Sequence, residues 1–351
     1  MTRVKRPTIY DIANTANVSP ATVSRVLSGA NYPISDDTKK LVLDVAEELE
    51  YRPSSSKYVT KSRLSEIGVI VPNLSNPYYS TLVLAVERFA AENKMRVLLC
   101  NSNGDENLEK YYVESLIQKK IKGIIISSVA SSVDHINNIR YTGASVVSFD
   151  QIVDIDCNKV SFDYREGGYL ATKHLIDLGH RRIAFISPYL TRHSRKKIFE
   201  GYKDCLVSHN IKVEESLIFT FPELVEKSEN TGLDHTDNEY YTKELLRLKD
   251  RPTAIFCIND VIALKVLKEL KFHGIKVPEE VSIVGFDNID ILEVISPRLT
   301  TVDQCTYEMG RLAAEMLYLS VMDKTRKNIS VSLQPVLVKG ESTAPINTPI
   351  K

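Results

Sequence analysis

From Ile67 onward the chain repeats one pattern. Short continuous apolar runs alternate with stretches whose apolar residues recur every three or four positions. The runs are Ile67–Val71, Val97–Cys100, Gly123–Ile126, Val146–Phe149, Arg182–Ile186, Ala254–Ile258 and Ser282–Phe286. Runs this short, apolar without alternation and separated by amphipathic segments, predict parallel strands buried on both faces by the helices between them. The series runs twice: Ile67–Val71 matches Arg182–Ile186, and Val146–Asp150 matches Ser282–Asp287. Both series close on Phe-Asp, at Phe149-Asp150 and Phe286-Asp287. The expected architecture is α/β, two similar lobes of open parallel sheet with a cleft between them.

The first sixty residues keep the helical period and lack the strands. Thr8-Ile9-Tyr10-Asp11 is a capping-box variant, opening a helix that turns Ile9, Ile12, Ala13 and Ala16 to one side. Ser19-Pro20 starts a second helix with a hydroxyl cap and proline at its first position. That helix turns Val23, Val26 and Leu27 inward and leaves Ala21, Thr22, Ser24 and Arg25 outside. Gly29 and Pro33 close it. Ser35 caps a third helix with a stripe of Leu41, Val45, Ala46 and Leu49. Two short helices joined by a tight turn and braced by a third form a helix-turn-helix unit. Its second helix can enter the major groove, where Arg25 can donate to guanine O6 and N7.

Ligands on open parallel sheets bind beyond the carboxyl ends of the strands. The polar residues at those ends are Asn76-Pro77-Tyr78-Tyr79, Asp150, Asn259-Asp260 and Asp287. Aromatic rings for stacking, with carboxylate and amide oxygens to accept hydroxyl protons, suit a sugar or a nucleoside.

Composition narrows the classes. A length of 351 residues accommodates two or three domains. No run approaches 18 apolar residues, and Met1–Pro7 is charged and leads into no apolar stretch. Neither a membrane span nor a secretory signal is expected, which points to the cytoplasm. The five cysteines form no CxxC, the histidines are scattered, and no phosphate loop or nucleophile elbow occurs. No catalytic residue, metal or cofactor is assigned, and no enzyme is expected.

Forty-five cations balance forty-five acids, so a strongly basic surface is excluded. Locally the balance breaks. Residues 1–63 hold ten Lys/Arg and seven Asp/Glu, a net +3, and the remainder carries −3. Five of the seven acids lie between Asp37 and Glu50, on the third helix, away from Arg25. One face of a small unit is thus left for a polyanion.

The run from Thr8 to Gly29 and the segment Leu49-Glu-Tyr-Arg-Pro53 closely resemble the DNA-binding headpiece of the LacI/GalR family of bacterial repressors. Asn76–Tyr79, Gly167–Thr172, Leu178–Ile183, Asn259-Asp260, Gly285–Asn288 and Leu299–Val302 resemble that family's core segments. The resemblance implies a headpiece at 1–53, a hinge at 54–65, and a periplasmic-binding-protein-like core for effector binding and dimerisation at 66–351. It implies base reading by Pro20, Ala21 and Arg25. Tyr10, Ser19, Thr22 and Ser24 would contact phosphate or brace the helix. The family's hinge drives a leucine into the minor groove. Counting back from the first strand puts Val59 in that place, and counting forward from Pro53 puts Thr60 there. Tyr78, Tyr79, Asp150, Asn259 and Asp287 would line the effector site, with Phe221 stacked on the ligand. Where sugar-responsive members carry an arginine, three residues before Gly201, this chain has Ile198, and Arg195 or Lys197 is left to reach the cleft. The implied partners are a near-palindromic operator, a second copy of the chain, and a carbohydrate effector or a co-regulator protein.

Overall fold

The computed structural model describes residues 7–27, 34–49, 51, 65–150, 155–220, 244–323 and 325–346. The chain divides into two compact units, Met1–Ser62 and Arg63–Lys351.

Among the described residues the first unit holds three helices: α1 (Ile9–Thr15), α2 (Pro20–Leu27) and α3 (Asp36–Glu48). Hydroxyl caps start all three. Thr8 and Asp11 exchange the two bonds of a capping box, with the Thr8 amide donating to Asp11 Oδ2 over 2.6 Å. Ser19 Oγ accepts from the Thr22 amide at 3.0 Å and Ser35 Oγ from the Thr38 amide at 3.3 Å. Each such cap contributes about 1 kcal/mol, which matters in a unit whose core holds seven buried hydrophobic side chains among the described residues. These are Ile12, Ala13, Ala16, Val23, Val42, Val45 and Ala46. Val42, and not Leu41, leads the α3 stripe: Leu41 is 46% exposed and Val42 fully buried. Positions 42, 45, 46 and 49 keep the i, i+3, i+4, i+7 spacing that Leu41 breaks.

The second unit is the two-lobed α/β core. Its first sheet is wholly parallel, in the order β11-β5-β4-β3-β1-β2. The strands are β1 (Glu66–Val71), β2 (Arg96–Asn101), β3 (Gly123–Ile126), β4 (Ser145–Phe149), β5 (Asn158–Phe162) and β11 (Ser330–Leu333). On one face pack α4 (Pro77–Glu92) and α10 (Thr306–Met322). On the other pack α5 (Glu106–Gln118) and α6 (Asp134–Tyr141). β1 and β3 are buried almost throughout, as continuous apolar runs require, whereas the edge strand β2 stays half-exposed.

The second sheet has the order β7-β6-β8-β9, again parallel. Its strands are β6 (Ile183–Ser187), β7 (Ile218–Thr220), β8 (Ala254–Cys257) and β9 (Ser282–Val284). Helices α7 (Tyr164–Asp177), α8 (His193–Ser208) and α9 (Asp260–Phe272) pack around it. The antiparallel pair β10 (Thr301–Asp303) and β12 (Val336–Val338) joins this lobe through bridges from Thr300 to Val284 and from Asp303 to Asp287. The order β2-β1-β3-β4 thus recurs as β7-β6-β8-β9, as the doubled apolar series predicts.

Among the described residues the chain changes lobes three times, at Phe162–Tyr164, Asp303–Thr306 and Leu333–Val336. The strongest helix–helix contact of the second lobe is the α7–α8 crossing, and two glycines allow it. A Cβ on Gly201 would stand 1.9 Å from the Arg165 carbonyl oxygen, and one on Gly168 2.1 Å from that of Ile198.

Candidate functional site

In the first unit, α2 presents a short polar face. Ala21, Ser24 and Arg25 are exposed, and Pro20 and Thr22 are half-buried. Val23 is completely buried and anchors the helix from behind. The Ser19 hydroxyl lies 2.9 Å from that of Thr22 in addition to capping the helix, so these two residues brace α2 at its start. Tyr10 is 63% exposed on α1. The acids of α3 do not share the α2 face in sequence, and the exposed part of α2 carries only the cationic Arg25. The hinge position Val59 or Thr60, and the basic residues Arg3–Arg6, lie outside the described residues.

In the second unit, a cleft of about 450 Å³, open to solvent, lies between the lobes. Of the seven residues expected there, Tyr78, Tyr79, Asp150, Arg195, Asn259 and Asp287 line it together. Phe221 lies outside the described residues. Strand ends deliver these groups. Asn76 follows β1 and caps α4, accepting from the Tyr78 amide at 3.0 Å, which turns both tyrosines to the cleft. Asn259 follows β8 and caps α9, its Oδ1 accepting from the Ile262 amide at 2.9 Å. Asp150 and Asp287 close β4 and the β9 run with left-handed backbones, φ +60° and +118°. Non-glycine residues rarely adopt such values, and here both turn a carboxylate into the cleft at equivalent corners of the two lobes.

The Asp150 carboxylate is nearly enclosed. Tyr79 donates to Oδ2 at 2.7 Å, Ser127 to Oδ2 at 3.2 Å and Tyr164 to Oδ1 at 2.5 Å. Burial, reinforced by the charge of Asp150, holds the Tyr79 and Tyr164 phenols well above their ordinary range, so both remain donors. The Tyr78 hydroxyl turns elsewhere, to Met309 Sδ at 3.4 Å. Across the cleft, the Gln304 amide nitrogen donates to Asp287 Oδ1. Arg195, only 6% exposed, donates to the Tyr189 carbonyl at 3.2 Å. Ile198 also lines the cleft, as do Arg195 and Arg192, about one and two turns before it in the chain.

Tyr164, Arg192, Ser194 and Gln304 are cleft residues that sequence reasoning misses. Tyr164 and Gln304 obey the strand-end rule, but their strands were hidden. β5 alternates buried and half-buried positions, and β10 is three residues long.

Beneath this corner, Asp260 is wholly buried, with Thr301 Oγ1 donating to Oδ1 at 2.6 Å and the Ile289 amide to Oδ2 at 3.1 Å. Gly285 leaves the room it occupies: a Cβ there would meet Asp260 Oδ1 at 2.1 Å. Burial pushes its carboxyl up to about 7, against those hydrogen bonds. The native state therefore holds a proton that the unfolded chain releases near 3.8, and core stability falls as pH rises from there to about 7, then levels off. Urea midpoints measured between pH 4 and 8 are expected to show that decline, and Asp260→Asn to flatten it. An undiminished slope in the variant assigns the proton elsewhere.

A capped helix-turn-helix unit and a two-lobed core with a polar cleft define a class, the ligand-responsive DNA-binding regulators. Residues 8–54 match the family described as bacterial regulatory proteins, lacI family, and residues 172–343 match a periplasmic binding protein-like domain. The HTH-type transcriptional regulator DegA of Bacillus subtilis is 33% identical over 98% of this chain and 100% of its own. A LacI family transcriptional regulator from Enterococcus faecium with bound ribose superimposes with a TM-score of 0.71. It is 31% identical and covers 81% of this chain and 100% of its own. A complex of the transcriptional regulator CelR with cellobiose gives 0.69 at 25% identity, over 96% of this chain and 100% of that one. The chain belongs to the LacI family of bacterial regulatory proteins.

Proposed function

We propose that the chain is a sequence-specific transcriptional repressor, homodimeric and cytoplasmic, whose operator affinity is controlled by a sugar or sugar derivative held in the cleft. One observation carries the reading: a capped α2 exposing Arg25 stands on the same chain as a polar cleft lined from both lobes. Two headpieces on a twofold dimer read a near-palindromic site, with Arg25, Pro20 and Ala21 on base edges and Tyr10, Ser19, Thr22 and Ser24 on the backbone or bracing α2. In the cleft, Tyr78, Tyr79, Asp150, Arg195, Asn259 and Asp287 form the effector site. Ligand drawing the lobes together bends the three crossings, and shifts DNA affinity only through its differential affinity for the open and closed states. Couplings of this kind are typically about 1–3 kcal/mol.

Ile198 in the cleft wall favours a second route, a co-regulator protein acting in place of a sugar clamped by the arginine usual at that position. Anisotropy titration against the DNA upstream of the gene, with and without a panel of sugars, separates the readings. A sugar-dependent change in specific binding supports the first, and specific binding that no sugar alters supports the second. Absence of sequence-specific binding in every arm overturns both.

A further inference from the structure

We propose that Glu109, on the far face of the first sheet, is a positioning residue for the effector site and acts on Asp150 through the adjacent hydroxyls of Ser128 and Ser127. This rests on the reading of the cleft as an effector site. The β1–β3 ladder runs on past β3 to Ser127, whose amide donates to the Ile70 carbonyl at 3.0 Å. Neighbouring residues of an extended chain turn their side chains to opposite faces. Ser127 accordingly donates to Asp150 Oδ2 at 3.2 Å, and Ser128 donates to Glu109 Oε1 on α5 at 2.5 Å. Both serines are buried. Two successive side chains thus carry a connection through the sheet, from α5 to the carboxylate that holds Tyr79 and Tyr164.

The α5 end of this connection is held from several sides. Glu109 is fully buried, and besides Ser128 it accepts from the Val129 amide at 3.0 Å and from His135 Nε2, on α6, at 2.8 Å. One turn earlier, Glu106 accepts from the amide and the hydroxyl of Ser131 at 2.8 and 3.0 Å. Both glutamates stand in the first turn of α5, where the helix dipole favours a negative charge. A buried ion pair is often no more stabilising than well-packed apolar side chains of the same volume. What the glutamates supply here is a single geometry. Four donors from the segment after β3, with the His135 ring behind them, leave that segment one arrangement and the Ser127 hydroxyl one position. Asp150 receives its third donor there, so the aromatic wall of the cleft is set partly from the opposite face of the sheet.

The test compares Glu109→Gln, Ser128→Ala, Ser127→Ala and the double serine variant in the full chain. The first readout is NMR of tyrosine labelled with carbon-13 at the hydroxyl-bearing ring carbon, with Tyr79→Phe and Tyr164→Phe assigning the two cleft signals. Ser127→Ala is expected to shift both signals, because Asp150 loses a donor. Glu109→Gln and Ser128→Ala are expected to shift them in the same direction, and the double variant to match Ser127→Ala alone. Should Glu109→Gln fail to fold, Ser128→Ala carries the test, since it leaves Glu109 two of its three donors. The second readout is calorimetric titration with D-ribose and cellobiose. Ser128→Ala weakens whichever binds about fivefold, the worth of one hydrogen bond, and weakens it no further once Ser127→Ala is in place. A serine that merely steadies its own segment leaves the tyrosine signals unmoved, and that result overturns the inference. So does a double variant whose losses multiply, or a sugar affinity that stays constant while the signals move. If the wild type binds neither sugar, the tyrosine signals still decide the connection to Asp150, and only the sugar reading of the cleft falls.

Discussion

Gly201→Ala is expected to destabilise the core by about 3 kcal/mol, although alanine is the better helix former. On propensity alone the substitution inside α8 gains about 1 kcal/mol. Contact geometry reverses the sign. The new methyl would stand 1.9 Å from the Arg165 carbonyl oxygen and 2.7 Å from the Tyr169 amide nitrogen, both backbone atoms of α7 that no rotamer change can move. The helices must separate, and Gly168 against the Ile198 carbonyl shows that they are equally tight one turn away. The cost also reaches the cleft, because α7 carries Tyr164 and α8 carries Arg195 and Ile198. Urea unfolding of the variant checks the sign. A midpoint at or above wild type means that the crossing yields easily. Gly143→Ala is the matched control for added methyls: it meets nothing within 4 Å, and its cost is confined to a left-handed backbone at φ +73°.

Arg25→Ala is expected to weaken operator binding tenfold to a hundredfold and to relax base preference at one position in each half-site. A bidentate arginine–guanine pair is worth about 1–3 kcal/mol of discrimination, and the side chain projects from a helix held by the Ser19 cap and buried Val23. Affinity selection over randomised operators checks it. A uniform loss over all sequences, with a salt dependence shallower by about one, assigns Arg25 to a phosphate instead.

Much of this architecture is written in the apolar pattern, and its gaps have physical causes. Strands β1, β3, β6, β8 and β9 are buried on both faces, so their composition alone marks them. β5 reads Asn-Lys-Val-Ser-Phe because Lys159 and Ser161 lie on a less covered face beside β11, and β10 to β12 are too short to carry a period. The cleft follows the same division. Asp150, Asn259 and Asp287 end conspicuous strands and are found, whereas Gln304 ends an inconspicuous one. No local pattern announces that Tyr79 and Tyr164, 85 positions apart, share a single carboxylate. That Val42 displaces Leu41 in α3 is a smaller lesson of the same kind, since both are apolar and only the packing partners α1 and α2 choose between them.

The third crossing has a consequence for the order in which the protein is made. β11 completes the edge of the first sheet, and a few residues later β12 pairs with β10 while Ser342 accepts from the Ile283 amide in the second lobe. Both lobes therefore wait for the same short stretch of chain near its end. Neither sheet reaches its final hydrogen-bonded edge while translation is still upstream of residue 330, whereas the three-helix unit at the start needs nothing beyond its own residues for its core. Nascent chains would thus carry a finished DNA-reading unit ahead of an unfinished sensor, and a nonsense mutation between that unit and β11 leaves the first without the second.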